Sequence, residues 1–379
     1  MRSPESIADE LRALDLPSGE GVYLVGGAVR DFLLGRESFD IDLAVEGDAI
    51  EFARRLGGQV TAHGRFGTAV VRFPDDRQLD VVTCRRETYA APAALPDVEP
   101  GTIADDLARR DFTVNAMAAS LGEDFGRILD PHGGRADLEI RTIRVLHERS
   151  FLDDPTRIFR AVRYEARLGF RMDRQTEGLA REGVGGIGLL SPARLREEVV
   201  ALLSEEEAER ALDRLAELAA APKLEPGLIG RLDTLRAELD PDAPTWRVRL
   251  TALAAAHPGL IGRLSLRRQD ARAVEEAIAV APCLAEATDP VEIADLAGRA
   301  PEGALLALAE RDSATLRDWF TRLRDVRLEV TGADLAELGV PESPRVGEIL
   351  EELRRRRLRG ELDGREAELA AAKELVGDE

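Results

Sequence analysis

The segment 22–43 constrains the fold of this chain more than any other part of the sequence. An apolar run at residues 22–25 indicates a buried strand, Gly26 and Gly27 interrupt it, and an amphipathic stretch at 28–34 indicates a helix. A second strand-like run that carries two aspartates follows. The predicted order is therefore strand, turn, helix and strand.

The glycine pair is the place where an anion can approach the backbone. On its own, such a pair is more often an ordinary turn. Before a helix, however, glycines allow close contact, and the free N–H groups and dipole of the helix N-terminus attract negative charge. Gly26 and Gly27 are therefore predicted to form a pocket for a triphosphate.

Asp40 and Asp42 are predicted metal ligands in the second strand. Side chains alternate between the two faces of a strand, so both carboxylates point the same way, roughly 6 to 7 Å apart. Hard oxygen ligands and substrate phosphates suit Mg²⁺, and two such ions can stabilise the attacking and leaving oxygens of a phosphoryl transfer. An Asp-x-Asp pair alone is more often a solvent-exposed strand face, but after the glycine turn it predicts a magnesium site.

The ordered combination of these residues resembles a known signature. It is similar to that of the class II tRNA nucleotidyltransferase and bacterial poly(A) polymerase family, within the polymerase-β-like superfamily. The resemblance implies that the glycine turn and its arginine bind the nucleotide. The residues that carry it are Gly26, Gly27, Val29, Arg30, Asp31, Gly35, Asp40 and Asp42.

Asp80 is an acid within the apolar run 79–82. A buried carboxylate is costly unless it is paired or binds metal. The family resemblance implies that Asp80 completes an acidic triad with Asp40 and Asp42. The alternative is that Asp80 lies on a solvent-exposed face of its strand.

The segment 109–115 closely matches the family's second signature. The resemblance implies that Arg110 and Asp111 contact the ribose and phosphates of the nucleotide, and it includes Asn115 in the same site. A carboxylate that accepts from the 2′-OH would favour ribonucleotides, because that group distinguishes them from deoxyribonucleotides. The alternative for Asp111 is an N-cap of a helix that begins at Phe112.

The segment 154–166 predicts a helix with one basic face. Arg157, Arg160 and Arg163 repeat every three residues, with apolar residues on the opposite side. Asp154 lies three residues before Arg157 and so shares its side of the helix. All four polar residues are predicted to belong to the nucleotide site.

Asp154 and Arg157 suit the recognition of two particular bases. Cytosine and adenine each present an amine donor beside a ring-nitrogen acceptor, whereas uracil and guanine do not. A carboxylate and a guanidinium would therefore select C and A without a nucleic-acid template, because a wrong base leaves buried polar groups unpaired. The family usually has Glu at position 153, where this chain has Asp. The alternative is that Asp154 only caps a helix that starts with Pro155.

The segment 85–100 is rich in proline and is predicted to be a loop with little regular structure. The resemblance implies that this loop influences whether C, A or both are added. Its length does not decide between these outcomes.

Composition limits the compartment and the covalent chemistry. With 379 residues, 44% of them hydrophobic, two to four compact units are expected. Cys84 and Cys283 are too few and too far apart to predict a disulfide framework or a zinc site. No signal peptide and no long apolar run is predicted, so a soluble cytoplasmic protein is expected.

The formal charge of −20 argues against RNA binding by the whole surface, because phosphate contacts need Lys or Arg. A local basic patch near the end of the chain is the candidate site for tRNA phosphates. The alternative is a solvated helix face balanced by the two preceding glutamates. The patch consists of Arg354, Arg355, Arg356 and Arg357.

Taken together, these features predict an α+β fold. A polymerase-β-like nucleotidyltransferase head on a small mixed sheet is followed by an all-helical neck, body and tail. Prolines, among them Pro282, are predicted to break the helical part. The predicted boundaries are 1–140 for the head, 141–205 for the neck with the nucleotide-selecting helix, 206–325 for the body and 326–379 for the tRNA-binding tail.

The activity that the resemblance implies is template-independent addition of the 3′-terminal CCA to tRNA. CTP and ATP would be the substrates, Mg²⁺ the cofactor and pyrophosphate the leaving group, with no membrane and no required protein partner. Addition of CC only or of A only is the first alternative. A poly(A) polymerase is disfavoured because those relatives usually carry Gly-Arg-Arg-Phe at positions 26–29. A catalytically inactive RNA-binding protein is disfavoured by the intact Asp40 and Asp42.

Overall fold

The computed structural model describes residues 8–9, 11–12, 21–37, 41–64, 67–75 and 77–377. The chain forms two compact units. The first consists of Met1–Glu198 and Glu205–Ala221, and the second of Val199–Ser204 and Pro222–Glu379. The division into head, neck, body and tail stays a prediction. Asp40, one of the predicted metal ligands, lies outside the described residues.

A mixed sheet organises the start of the first unit. The strands of the described residues are β1 (Gly21–Val25), β2 (Asp42–Glu46), β3 (Gln59–His63), β4 (Thr68–Arg72), β5 (Gln78–Thr83), β6 (Arg85–Thr88), β7 (Asp97–Pro100), β8 (Ala118–Ser120), β9 (Ile128–Leu129), β10 (Thr142–Ile143) and β11 (Arg171–Met172). Seven of them form one sheet in the order β3-β4-β5-β2-β1-β8-β9. Strands β2 and β5 pair in parallel and the other neighbours pair antiparallel. The predicted mixed sheet is thereby confirmed.

The burial of β5 shows how the sheet separates its two faces. Leu79 and Val81 are completely buried, whereas Asp80 between them is half-buried. Because neighbouring residues of a strand point to opposite faces, Asp80 projects away from the side that holds these two apolar residues. The apolar side chains thus fix the face on which the carboxylate appears.

Nine helices of the described residues begin between residues 27 and 208, and those for which buried residues are known bury only part of their surface. The nine helices are α1 (Gly27–Leu33), α2 (Ala49–Arg55), α3 (Ile103–Ala108), α4 (Gly134–Glu139), α5 (Ser150–Asp153), α6 (Thr156–Leu168), α7 (Arg174–Gly183), α8 (Pro192–Leu203) and α9 (Ala208–Glu217). In α6, Ile158, Phe159 and Val162 are buried, which agrees with the predicted apolar side. Gly169 ends this helix with a φ of 72°, a conformation that glycine adopts without strain.

The segment 85–100 differs from the sequence prediction. Its two ends form the antiparallel pair β6 and β7, with Arg85 opposite Pro100 and Glu87 opposite Val98. The prediction of a loop with little regular structure is therefore wrong for both ends. Strands β6 and β7 form a two-stranded sheet, so Pro100 lies on an edge strand, where proline is tolerated.

The second unit is helical. Its remaining helices in the described residues are α10 (Leu228–Leu239), α11 (Thr245–Ala256), α12 (Leu260–Leu264), α13 (Arg268–Glu286), α14 (Pro290–Ala297), α15 (Pro301–Glu310), α16 (Ala314–Thr321), α17 (Gly332–Glu337), α18 (Pro344–Leu358) and α19 (Gly364–Gly377). The α+β fold class with its helical continuation is thus confirmed. None of the described helices has both the length and the apolar character needed to span a membrane.

Pro282 does not end its helix. α13 continues through it to Glu286, so the predicted break is wrong. Ala277, Ala281 and Leu284 are buried on this helix, and a Cβ on Gly303 of α15 would lie 2.5 Å from the carbonyl oxygen of Ala277. This close packing favours a continuous helix despite the hydrogen bond that proline removes.

Gly134 provides a test of the packing beneath the segment 111–117. A Cβ at this position would lie 2.3 Å from the carbonyl oxygen of Thr113 and 3.0 Å from Cγ of Met117. We expect Gly134→Ala to lower the free energy of unfolding by about 1–3 kcal/mol, because the backbone must move apart. Urea unfolding measures the change. Gly178→Ala is the control, since Gly178 lies inside α7 with nothing within 4 Å of its Cβ position. The control should gain about 0.5–1 kcal/mol, and equal losses in both variants would contradict the packing argument.

Candidate active site

A cavity of about 570 Å³ in the first unit collects most of the predicted site residues. Its lining comes from the glycine turn, the sheet, the segment 109–115 and helix α6, which are far apart in the sequence. Asp80 and Arg163 are not among the described residues that line it. The predicted residues that do are Gly26, Gly27, Arg30, Asp42, Arg110, Asp111, Asn115, Asp154, Arg157 and Arg160.

The turn before α1 requires glycine at its first position. Gly26 has a φ of 70° and a ψ of −132°, a region that other residues rarely adopt. A Cβ there would also lie 2.7 Å from Nη1 of Arg110. The absence of a side chain thus lets a guanidinium approach the turn where the sequence predicted a bound triphosphate.

Asp42 and Asp80 are register partners on the parallel strands β2 and β5. Partners on neighbouring strands lie on the same face, about 4.8 Å apart along the hydrogen-bond direction. Oδ1 of Asp80 accepts a hydrogen bond of 3.3 Å from Nε2 of Gln78. Two adjacent carboxylates suit a hard cation such as Mg²⁺. Within the described residues no group of three or more His, Cys, Asp or Glu is placed to hold a metal, and the third carboxylate that the resemblance implies, Asp40, lies outside them.

A chain of buried polar contacts connects α1 to α6. Nη1 of Arg30 donates to Oδ1 of Asn115 at 2.7 Å, and Nδ2 of Asn115 donates to Oδ1 of Asp111 at 3.0 Å. Oδ2 of Asp111 in turn pairs with Nη2 of Arg160 at 2.7 Å. Burial alone would raise the pKa of Asp111, but the charge of Arg160 and the hydrogen bond from Asn115 outweigh it and lower that pKa. Asp111 is therefore held ionised.

The predicted helix after Asp111 is replaced by a 3₁₀ turn, Thr113–Asn115. Oδ1 of Asp111 accepts from the backbone N–H of Phe112 at 2.8 Å. The side chain therefore satisfies a backbone donor, as an N-cap would, and also pairs with a guanidinium of α6. Its contact with a ribose hydroxyl stays a prediction.

Asp154 caps the start of α6 and also lines the cavity, while its role in base recognition stays a prediction. Its Oδ1 accepts from the backbone N–H of Thr156 at 3.0 Å, which satisfies a free donor at the start of α6. The same residue lines the cavity beside Arg157. Capping the helix therefore does not remove Asp154 from the site.

Two hydrogen bonds hold the buried guanidinium of Arg157 in place. It is 4% exposed, its Nη1 donates to Oγ of Ser150 at 2.6 Å, and its Nη2 donates to the backbone carbonyl of Arg109 at 2.8 Å. Both of these partners are neutral, so neither hydrogen bond is an ion pair.

Asp106 is a site residue that the motif comparison missed. It is fully buried, and its Oδ1 accepts from Nη2 of Arg109 at 2.6 Å while its Oδ2 accepts from Nη2 of Arg110 at 2.8 Å. Burial favours the neutral acid, but the charges of Arg110 and Arg109 outweigh it and lower the pKa of Asp106. The i, i+3 and i, i+4 spacing of Asp106 from these two arginines was the signal that could have found it.

Tyr164 is a second missed residue. Its ring centroid lies 5.3 Å from Cζ of Arg30 and 5.6 Å from Cζ of Arg160. Both distances fall within the range of cation–π attraction. Nη2 of Arg160 also donates to its hydroxyl at 3.1 Å. Tyr164 thus contacts two arginines of the cavity, and an aromatic residue in a basic helix face was the only sequence signal for this.

Arg163 has different partners from those of Arg157 and Arg160, the other two arginines on the basic side of α6. It pairs with Oε1 of Glu205 at 2.9 Å and with Oε2 of Glu198 at 3.4 Å. Its charge is offset within the first unit. The structure therefore brings Arg157 and Arg160 to the cavity but gives Arg163 a different environment.

The basic patch of the second unit is also paired with acids. Arg354 contacts Asp295 at 3.1 Å, and the three following arginines contact acidic residues of the same unit. The observed pairs agree with the alternative of a helix face balanced by acids, while tRNA binding stays a prediction. The pairs are Arg355 with Glu351, Arg356 with Glu352, and Arg357 with Asp363.

Comparison with known families agrees with this fold and cavity. Residues 22–144 match the family described as "Poly A polymerase head domain". Residues 169–229 match the family described as "Probable RNA and SrmB- binding site of polymerase A". The first match includes the glycine turn, Asp42 and the segment 109–115.

Two curated relatives differ in the nucleotides that their names specify. An A-adding tRNA nucleotidyltransferase of Geobacter sulfurreducens is 38% identical over 417 residues, covering 99% of this chain and 47% of the relative. A CC-adding tRNA nucleotidyltransferase of Deinococcus radiodurans is 46% identical over 150 residues, covering 38% of this chain and 40% of the relative. The matched regions therefore span less than half the length of each of these two relatives.

Solved structures match over nearly the whole chain. A CCA-adding enzyme in apo form II has a TM-score of 0.80 and 31% identity, covering 97% of this chain and 93% of that one. The Thermotoga maritima CCA-adding enzyme complexed with tRNA has a TM-score of 0.74 and 29% identity, covering 94% and 92%. Complexes of a CCA-adding enzyme with CTP and with ATP each have a TM-score of 0.79, at 29% and 30% identity, covering 99% and 97% of this chain and 98% and 94% of the other.

The mixed sheet and the helices that follow it form a fold with a polymerase-β-like head. Together with the structural match at 31% identity over 93% of the matched chain, they assign the family. The chain belongs to the class II CCA-adding tRNA nucleotidyltransferase family, as its sequence resemblance predicted.

Asp106→Asn tests how strongly the buried carboxylate holds its two arginines. We expect the variant to lose about 3 kcal/mol of unfolding free energy at pH 7, since removing one partner leaves buried charge unpaired. The folded-state pKa of Asp106 is lowered, so its contribution is present above the unfolded pKa of about 3.9 and is lost as pH falls below it. Urea unfolding at neutral and acidic pH measures the difference from wild type. Asp213→Asn, at an exposed aspartate of α9, should change stability by less than about 0.5 kcal/mol. A loss at Asp106 that does not shrink with acid would contradict this account.

Proposed function

We propose that this chain is a template-independent tRNA nucleotidyltransferase that adds the 3′-terminal CCA from CTP and ATP. The observation that carries the proposal is the cavity that is lined by Asp42, by Arg110 and Asp111, and by the proposed base-selecting residues Asp154 and Arg157. These are the groups required to activate a hydroxyl, hold a nucleotide and choose its base. The named substrates of the matched structures, tRNA, CTP and ATP, support the same reading.

The carboxylates of the sheet are the proposed cofactor ligands. Asp42 and Asp80, which are register partners, would hold Mg²⁺ together with Asp40. When bound, Mg²⁺ would lower the pKa of the attacking 3′-hydroxyl and neutralise charge at the phosphate. The face of the sheet is suited to this role because buried apolar residues on the opposite face fix the direction of both side chains.

The arginines near the glycine turn are the proposed triphosphate ligands. Arg110 approaches Gly26 closely, with Nη1 2.7 Å from the position of a Cβ. Arg30 is 4% exposed and lines the same cavity. Guanidinium groups form short, charge-assisted hydrogen bonds to phosphate oxygens. Because Asp106 already holds Arg110, and Asp31 and Asn115 already hold Arg30, binding a triphosphate would need little rearrangement of the protein.

Asp154 and Arg157 are the proposed base selectors. The carboxylate would accept from the exocyclic amine of C or A, and the guanidinium would donate to the neighbouring ring nitrogen. Uracil and guanine present a carbonyl oxygen where C and A present the amine, which would place two acceptors together. An unpaired buried polar group is costly, and such sites can discriminate strongly for this reason.

Addition of A alone is the second candidate. The A-adding relative of Geobacter sulfurreducens aligns with 99% of this chain at 38% identity, which favours that specificity. The structures of CCA-adding enzymes cover a similar share of the chain. The same base-selecting pair serves both activities, so the two candidates differ in the tRNA ends that they extend.

Transcripts of one tRNA that end at the discriminator base or after CC separate these activities. With CTP, ATP and Mg²⁺, sequencing of the 3′ ends should show CCA on the first transcript and a single A on the second. Extension of the CC transcript alone would indicate A addition, and a stop after CC would indicate CC addition. Long A tails, or no addition to either transcript, would overturn the proposal. Asp42→Asn should reduce addition by at least about a thousandfold, because it removes a proposed metal ligand.

Asp154→Ala tests the selection of the base. The variant should incorporate UTP and GTP more readily relative to CTP and ATP, by about tenfold or more, because the acceptor for the amine is gone. Competition assays with all four nucleotides on the same tRNA measure the ratio. Asp213→Asn serves as a neutral comparison. Unchanged selectivity with a folded Asp154 variant would rule out the proposed role.

A further inference from the structure

Arg194 on α8 contacts the base-selecting carboxylate from outside the cavity. Its Nη2 donates to Oδ1 of Asp154 at 2.6 Å, and its Nη1 donates to the backbone carbonyl of Ala93 at 3.0 Å. Arg194 was not predicted to belong to the nucleotide site, and it is not among the described residues that line the cavity. One guanidinium therefore joins the proposed base selector to a segment about 60 residues before it.

The backbone of Asp154 is already fixed on both sides. Its N–H donates to the carbonyl of Ser150 at 3.1 Å, and its carbonyl accepts from the N–H of Arg157 at 3.1 Å. The residue is extended, with a φ of −138° and a ψ of 93°, as expected before proline. The remaining freedom lies in the side chain, above all in rotation of the carboxylate about its Cβ–Cγ bond.

Arg194 restricts that rotation. Oδ1 of Asp154 also accepts from the N–H and the hydroxyl of Thr156, at 3.0 Å and 2.6 Å. Nη2 of Arg194 adds a charged donor, whose hydrogen bond is about twice as strong as that of a neutral donor. Since all of them converge on Oδ1, they leave Oδ2 as the oxygen available to a ligand.

The other end of Arg194 is anchored as well. Ala93 has a φ of 59°, a left-handed conformation that is uncommon for a residue with a side chain. Its N–H donates to the carbonyl of Leu152 at 3.2 Å. The carbonyl that accepts the hydrogen bond from Arg194 thus belongs to a residue that is bonded to α5, the short helix directly before Asp154. A conformation of this kind persists only where its surroundings impose it.

We propose that Arg194 is a specificity-determining positioning residue that fixes the Asp154 carboxylate for base selection. The inference rests on the proposed function of the cavity. Arg194 holds Oδ1 so that Oδ2 accepts the exocyclic amine of C or A. It touches neither the base nor the phosphates and acts through Asp154.

Loss of Arg194 affects wrong nucleotides differently from correct ones. Terminal torsions of aspartate are broad, so the freed carboxylate turns away from the carbonyl oxygen of a bound uracil or guanine and relieves the clash between acceptors. Cytosine and adenine gain nothing from that rotation. Discrimination therefore falls even where the protein remains folded.

Lysine does not replace Arg194 fully. The planar guanidinium spans the Asp154 carboxylate and the Ala93 carbonyl with two separate nitrogens, whereas a lysine ammonium is a compact charge. Arg194→Lys keeps the positive charge but loses the two separate donor nitrogens. It should therefore give a selectivity between those of wild type and Arg194→Gln.

Arg181 provides a matched control in the same unit. Its Nη2 donates to Oε1 of Glu177 at 2.7 Å, and its Nη1 donates to the carbonyl of Glu217. It thus also joins a carboxylate to a backbone carbonyl, but it is not among the described residues that line the cavity. Arg181→Gln removes an equivalent bridge away from the proposed base selector.

The experiment compares kcat/KM for CTP with that for UTP, and for ATP with that for GTP, on tRNA transcripts. In Arg194→Gln both ratios should fall at least about tenfold, with Arg194→Lys intermediate and Arg181→Gln unchanged. Combining Arg194→Gln with Asp154→Ala should give the ratios of Asp154→Ala alone, because Arg194 acts through that carboxylate.

Three results would overturn the inference. Wild-type selectivity in Arg194→Gln, while wild type adds C and A, would reject the role of Arg194 and leave the proposed function intact. If kcat/KM fell equally for correct and wrong nucleotides in both Arg194 variants, Arg194 would be a merely structural residue. Failure of the wild-type protein to add any nucleotide would reject the inference together with the proposed function. If Arg194→Gln does not fold, the ratios for Arg194→Lys decide in the same way.

Discussion

The pairing of buried carboxylates with partly exposed arginines is the constraint on which the cavity depends. A charged group removed from water is costly unless an opposite charge and hydrogen bonds compensate for it. Asp106 compensates for Arg109 and Arg110, and Asp111 compensates for Arg160. These pairs fix the guanidinium groups before any ligand binds, so that positive charge is preorganised at the glycine turn.

The same constraint explains how an acidic chain can present a basic site. The net charge of −20 is spread over the whole chain, whereas Arg109 and Arg110 of the cavity are tied to Asp106, which is not among the described residues that line the cavity. In the second unit, the arginines of α18 form pairs with acids that are largely exposed, and exposed pairs contribute little to stability. Local arrangement of charge, rather than the overall balance, therefore decides where an anion can bind.

Much of the fold followed from local patterns. The strand, glycine turn and helix at residues 21–33, the mixed sheet and the helical remainder appear as predicted. Where the predictions were wrong, contacts from other parts of the chain prevailed. The two ends of the proline-rich segment 85–100 pair with each other as strands β6 and β7. Helix α13 continues through Pro282 and packs closely against α15.

The sequence by itself determined which residues carry charge, where the glycine turn lies and which side of α6 is basic. These properties depend on neighbours a few positions apart, which periodicity and spacing report directly. Only the tertiary structure decided which acid meets which arginine. Asp111 meets Arg160 from 49 positions away and Asp154 meets Arg194 from 40, and no local pattern encodes such a pair. The physical reason is that burial makes charge pairing obligatory, whereas the choice of partner depends on how the elements pack.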